Sequence, residues 1–122
     1  MAIKGLPISA SVTPVAFSKI ALSLEGATEN AHGGHPDFRA GGKVFATMGY
    51  PDNDWAMVKL TPEQQRLLCD AEPGTFRPIK GAWGLRGATN VFLKAADATT
   101  VRSALRMALK NVTQPAKRRA RS

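Results

Sequence analysis

The chain has 122 residues, a mass of 13.0 kDa, a net charge of +8 and a pI near 10.3. That length fits one domain able to bury about two-thirds of its unfolded surface, and 43% hydrophobic with 21% charged residues excludes wholesale disorder. The lone Cys69 excludes a disulfide framework and a cysteine-rich zinc module, while no apolar run reaches the roughly 18 residues of a membrane span and no signal-peptide pattern opens the chain. A soluble cytoplasmic protein is expected, without a membrane partner and as a monomer or weak dimer.

The charge is unevenly placed. The last thirteen residues hold Lys110, Lys117, Arg118, Arg119 and Arg121 and no acid, leaving a net charge of +3 for the rest. Such a tail suits nucleic acid or another anionic surface, because Lys and Arg displace counterions from phosphates. It is equally readable as a solubilising terminus.

In chain order, residues 1–12 read as a flexible lead-in. Thr13-Pro14 opens a helix, with Thr13 as cap and Pro14 at the first helical position. Phe17, Ile20, Ala21 and Leu24 form its apolar stripe, and Gly26 is expected to close it in the left-handed region. Thr28 to His32 reads as a strand, followed by a turn over Gly33-Gly34-His35-Pro36. Phe38-Arg39-Ala40 runs into Gly41-Gly42, a hairpin signal, and Lys43 to Met48 returns. After the polar turn Pro51 to Asp54 comes a strand from Trp55 to Leu60, in which Lys59 shares a face with Trp55 and Met57. Thr61-Pro62-Glu63-Gln64 opens a second helix with a capping box, and Leu67 and Leu68 supply its buried face. A glycine-punctuated segment, Gly81 to Gly87, precedes a strand from Ala88 to Leu93. Asp97 caps a last helix with Val101, Ala104, Leu105, Ala108 and Val112 on its apolar side. The strands are short and joined by tight turns, so they pair antiparallel. The pattern predicts an α+β two-layer sandwich, an antiparallel sheet packed by helices, with one domain over residues 13–112 and a basic tail at 113–122.

The run His32-Gly33-Gly34-His35-Pro36-Asp37-Phe38-Arg39-Ala40-Gly41-Gly42-Lys43-Val44-Phe45-Ala46, then Val58-Lys59-Leu60, Thr61-Pro62-Glu63 and Trp83-Gly84-Leu85-Arg86-Gly87, resembles the MmcQ/YjbR family of small bacterial proteins. His32, His35, Pro36, Phe38, Trp83 and Gly84 carry the likeness most clearly. The resemblance implies a frataxin-like or secretion-chaperone-like fold and points to DNA binding, the label often attached to such proteins. Ala88 and Gly33 stand where family members often have aromatics, which removes base stacking at those two positions.

Three chemistries can be weighed against this. His32 and His35, with Asp37 and Glu29, make an H-x-x-H-x-D cluster, but zinc needs three or four well-placed ligands, so neither metal nor cofactor is expected. An iron role by analogy with frataxin needs a carboxylate ridge on the first helix, and only Glu25 is there. Catalysis lacks its parts. Cys69 lies among leucines as a structural thiol, and neither a nucleophile elbow nor a phosphate loop is present, so no enzyme is expected. The third constellation is basic and aromatic: Arg39, Lys43, Lys59, Arg77, Lys80, Trp83 and Arg86, extended by Lys117, Arg118, Arg119 and Arg121. It predicts nucleic-acid binding with little sequence selectivity. The competing readings make Trp83 a plug at the core edge and pair Lys43 with Asp37. The alternative function is a protein–protein adaptor.

Overall fold

In the computed structural model, which describes residues 11–32 (His32 through its backbone) and 34–114, helix α1 (Pro14–Ser23) begins where Pro14 needs no hydrogen-bond partner. The Thr13 hydroxyl accepts from the Ala16 N–H at 3.0 Å. The helix stops earlier than its apolar stripe suggests. Leu24 is already extended, and the left-handed Gly26 follows two residues later instead of forming the cap itself. Val12, placed in the lead-in by sequence, is buried, and its N–H donates to the Leu93 carbonyl at 2.9 Å.

The sheet has six antiparallel strands: β1 (Thr28–His32), β2 (His35–Ala40), β3 (Lys43–Met48), β4 (Trp55–Lys59), β5 (Phe76–Pro78) and β6 (Ala88–Phe92). Their spatial order is β1-β2-β3-β4-β6-β5. Strand β2 starts at His35, which pairs with His32, so Pro36 lies in the strand opposite Ala31 and not in a turn. Gly41 and Gly42 both hold positive φ, 60° and 81°, the two-residue turn whose twist suits a hairpin. Between Phe38 and Arg39 the register shifts: Phe38 faces Ala46, yet Arg39 faces Val44. The residue gained by β3 is Phe45, so Phe45 and Ala46 both enter the core while Val44 returns to the opposite face.

One face of the sheet is covered by α1 and by α4 (Ala98–Thr113). Val101, Ala104, Leu105 and Ala108 of α4 are buried in one cluster with Phe17, Phe38, Phe45 and Val58, and the rings of Phe17 and Phe38 meet edge to face at 6.0 Å. Helix α2 (Pro62–Ala71) packs against β5 and β6. Its capping box is complete. Thr61 Oγ1 accepts from the Gln64 N–H at 3.1 Å, and Gln64 Oε1 accepts from the Thr61 N–H at 2.9 Å. The expected buried face is corrected: Leu67 is 64% exposed, and only Leu68 and Cys69 pack partly against the core. Thr61→Ala should therefore cost about 1 kcal/mol in a denaturant titration, the ordinary cost of a lost cap; an unchanged midpoint would show the box to be idle. A short helix absent from the sequence reading, α3 (Ala82–Leu85), occupies the glycine-punctuated segment. No helix among the described residues is long and apolar enough to cross a membrane.

Candidate functional site

The sheet face away from α1 and α4 is open. Cross-strand register places Asp37, Thr47, Met57, Asn90 and Arg77 in one row across it, since each faces the next on the neighbouring strand. Next to this row, toward the Gly41-Gly42 hairpin, stand Arg39, Val44 and Lys59. Loop residues raise walls: Tyr50 from the β3–β4 turn, and Ile79 and Trp83 from the segment before β6. The result is a groove of about 500 Å³ whose lining is mostly apolar, a volume within the range of small-molecule and nucleobase pockets.

Trp83 is 57% exposed, so the core-plug reading does not hold. It stands on α3 because Gly84 lies against the backbone of Ile79, where a side chain has no room. The Lys59 ammonium sits 5.9 Å from the Trp83 ring centroid, a cation–π approach that fixes both at the groove wall. These two side chains also line a second groove of about 420 Å³, with Arg86, Asn111 and Val112. The Asn111 amide donates to the Lys59 carbonyl at 3.0 Å and to Gln64 Oε1 at 2.8 Å, tying the end of α4 to β4 and α2. Arg39, Lys59 and Arg86 thus form a cationic border along the end of the sheet where α4 finishes.

The rest of the expected patch divides. Lys43 is exposed but faces Ala40, a core-facing position, so it lies outside the groove. It does not pair with Asp37; that carboxylate is taken by Arg39, Nε to Oδ1 at 2.9 Å and Nη2 to Oδ2 at 3.3 Å. This hydrogen bond and the negative charge behind it hold the Arg39 guanidinium above its ordinary pKa. Arg77 lies 5.2 Å over the Trp55 ring, on the far side of the face, and Lys80 is exposed outside both grooves. Lys117, Arg118, Arg119, Arg121 and the side chain of His32 lie outside the described residues.

The described members of the histidine cluster have other neighbours. His35 sits edge-on to Tyr50 at 6.1 Å, Asp37 is committed to Arg39, and Glu29 pairs opposite the core residue Phe38. Among the described residues no group of three His, Cys, Asp or Glu side chains is placed to hold a metal. Phe38 is wholly buried, and Pro36 lines the groove beside His35. Burial, and next the Asp70 charge, push the Cys69 thiol up, which keeps it protonated and weakly nucleophilic. Residues that sequence reasoning did not assign to the site are Val44, Thr47, Met48, Tyr50, Met57, Ile79 and Asn90. For Thr47, Met57 and Asn90 the signal was the period-2 alternation of strands, which places them opposite the core-facing Ala46, Val58 and Thr89.

The sequence model of a family described as YjbR matches residues 22–110. No curated protein matches the chain. Among solved structures, the crystal structure of a Deinococcus radiodurans protein carrying the family-model domain DUF419 matches with a TM-score of 0.70 at 18% identity, over 86% of this chain and 81% of that one. At that identity the likeness concerns the fold, and it agrees with the α+β arrangement of an antiparallel sheet packed by helices.

Proposed function

This chain belongs to the YjbR family, and from that premise we propose that its open sheet face binds single-stranded nucleic acid, with little sequence selectivity and without catalysis. The observation that carries this reading is the exposed Trp83, standing beside Lys59 between two grooves that Arg39 and Arg86 border. A base stacks on an indole face whatever its identity, and phosphates flanking it meet cations along the border. An apolar groove behind the cations suits a base, which a uniformly charged surface does not. Duplex readout is disfavoured, because α3, the one helix on this face among the described residues, has only four residues and no row of side chains to lay in a major groove. The protein would act in the cytoplasm as a monomer or weak dimer.

Oligothymidylate and oligouridylate of about eight nucleotides, titrated at several salt concentrations, test the proposal. Wild-type protein should bind both, with log–log salt slopes of about 0.7 per phosphate contact. Trp83→Ala should weaken binding by about 1–3 kcal/mol and leave the slope unchanged, since stacking releases no counterions. Absence of binding at low salt, or a Trp83→Ala variant that binds as wild type, would sink the proposal. The exposed Leu85, 82% accessible next to Trp83, favours the adaptor as a second reading. In that case Leu85→Ser would abolish capture of a protein partner while the oligonucleotides bind neither protein.

A further inference from the structure

Asp37 is the one acid lining the larger groove among the described residues, and its side chain is only 7% exposed. A buried carboxylate is an odd neighbour for a polyanion: by charge alone it repels every phosphate that approaches. Its surroundings suggest a different role. Asp37 and Arg39 stand two residues apart on β2, hence on the same face, and the bulge on β3, whose extra residue is Phe45, turns Val44 to face Arg39. Bulges re-aim side chains next to binding sites. The two hydrogen bonds occupy Nε and Nη2, one edge of the guanidinium fork. Among the described residues Nη1 and the second N–H of Nη2 meet no acceptor, and Arg39 is 34% exposed toward the groove. From the neighbouring strands Asn30 and Thr47 face Asp37, and neither carries charge. Among the described residues, Arg39 is its one hydrogen-bond partner.

Resting on the nucleic-acid reading of this groove, we propose that Asp37 is a positioning residue that holds the Arg39 fork toward a backbone phosphate, so that a buried acid strengthens binding to a polyanion. A free arginine must give up rotamer freedom on binding; one already braced by a carboxylate gives up less. The Arg39 guanidinium therefore meets the phosphate with two donors in a fixed plane, a geometry that lysine lacks. Asp37 touches no ligand itself and acts through Arg39.

The test rests on the sign of an effect. Asp37→Asn removes one negative charge from the groove, so electrostatics alone requires tighter binding of an eight-nucleotide oligothymidylate. Positioning requires the opposite: affinity about tenfold lower and a salt slope smaller by about 0.7, the loss of one phosphate contact. In an Arg39→Ala background the sign should reverse. With nothing left to brace, Asp37 only repels, and adding Asp37→Asn should tighten binding. Arg39→Lys, which keeps the charge, should bind several-fold more weakly than wild type; this arm serves also if Asp37→Asn folds poorly. Wild-type binding combined with an Asp37→Asn variant of equal or higher affinity overturns the inference and leaves the nucleic-acid reading intact. Failure of wild-type protein to bind the oligonucleotide overturns both.

Discussion

Gly84→Ala is expected to destabilise the domain by about 3 kcal/mol or more and to displace Trp83 from the groove wall. A Cβ at this position would overlap the Ile79 carbonyl oxygen and lie 2.6 Å from the Ile79 carbonyl carbon. Neither side can retreat easily. The Ile79 N–H donates to the Ala88 carbonyl at 3.1 Å, which ties it to the start of β6. The Gly84 carbonyl accepts from Gln65 Nε2 at 3.0 Å, and the same amide donates to the Ala88 carbonyl at 3.0 Å. To admit a methyl group, α3 must lift away, breaking the Gln65 bond and carrying Trp83 with it. Denaturant titration should show the loss of stability, and indole emission in a Trp55→Phe background should report the shift of Trp83. A midpoint within about 1 kcal/mol of wild type would mean that α3 yields at little cost and that Gly84 is not what seats the indole.

This position marks where sequence reading reached its limit. Trp83-Gly84-Leu85-Arg86-Gly87 was legible as a glycine-punctuated segment and as part of a family resemblance. Why a glycine is needed was not, because the obstacle is the backbone of Ile79, whose approach depends on β5 and β6 pairing behind it. The caps at Thr13, Thr61 and Asp97 were legible, since each uses a hydroxyl or carboxylate and an amide three residues on. So was the face of α4, whose apolar positions recur at helical spacing over sixteen residues. Helix α2 misled for a reason of scale. Its apolar residues are few, Leu67 and Leu68 are adjacent, and adjacent residues on a helix point about 100° apart, so only one of them can face the sheet. The structure selects Leu68.

The site was half legible. Arg39, Lys59, Trp83 and Arg86 converge as a basic and aromatic group, although they come from three separate segments. Lys43 and Arg77 resemble them in composition and do not converge. What separates them is strand parity and cation–π pairing: Lys43 falls on the core-facing parity of β3, and Arg77 rests on Trp55. The β-bulge made parity hard to count, for without the extra Phe45 the positions of Val44 and Phe45 would exchange faces. The competing reading that paired Lys43 with Asp37 fails for the same cause. Across-hairpin pairing with Lys43 requires the two on one face, whereas Arg39, two residues along the same strand, is there already.

Leu105→Ala is expected to cost about 2–5 kcal/mol, the range for a large aliphatic side chain removed from a core that cannot fully collapse. Leu105 is wholly buried near the centre of α4, in the cluster that holds α1 and the sheet together. Domains of this kind are stable by only about 5–15 kcal/mol, so the substitution removes a large share of the margin. Leu67→Ala is its internal control. The residue type and the change are the same, but Leu67 is mostly exposed, and its loss should fall within about 0.5 kcal/mol. Equal costs for the two would show that the α4 face, or the exposure of Leu67, is wrongly placed. Oligonucleotide binding then separates core from site. Leu105 lies on the covered face of the sheet, whereas Arg39, Lys59 and Trp83 line the open one. At a temperature where the Leu105→Ala variant remains folded, its salt slope and affinity for oligothymidylate should therefore match wild type. A lower slope in folded protein would mean that the seating of α4 is transmitted through the Asn111–Lys59 hydrogen bond to the cationic border. That would make the helix part of the site as well as of the core.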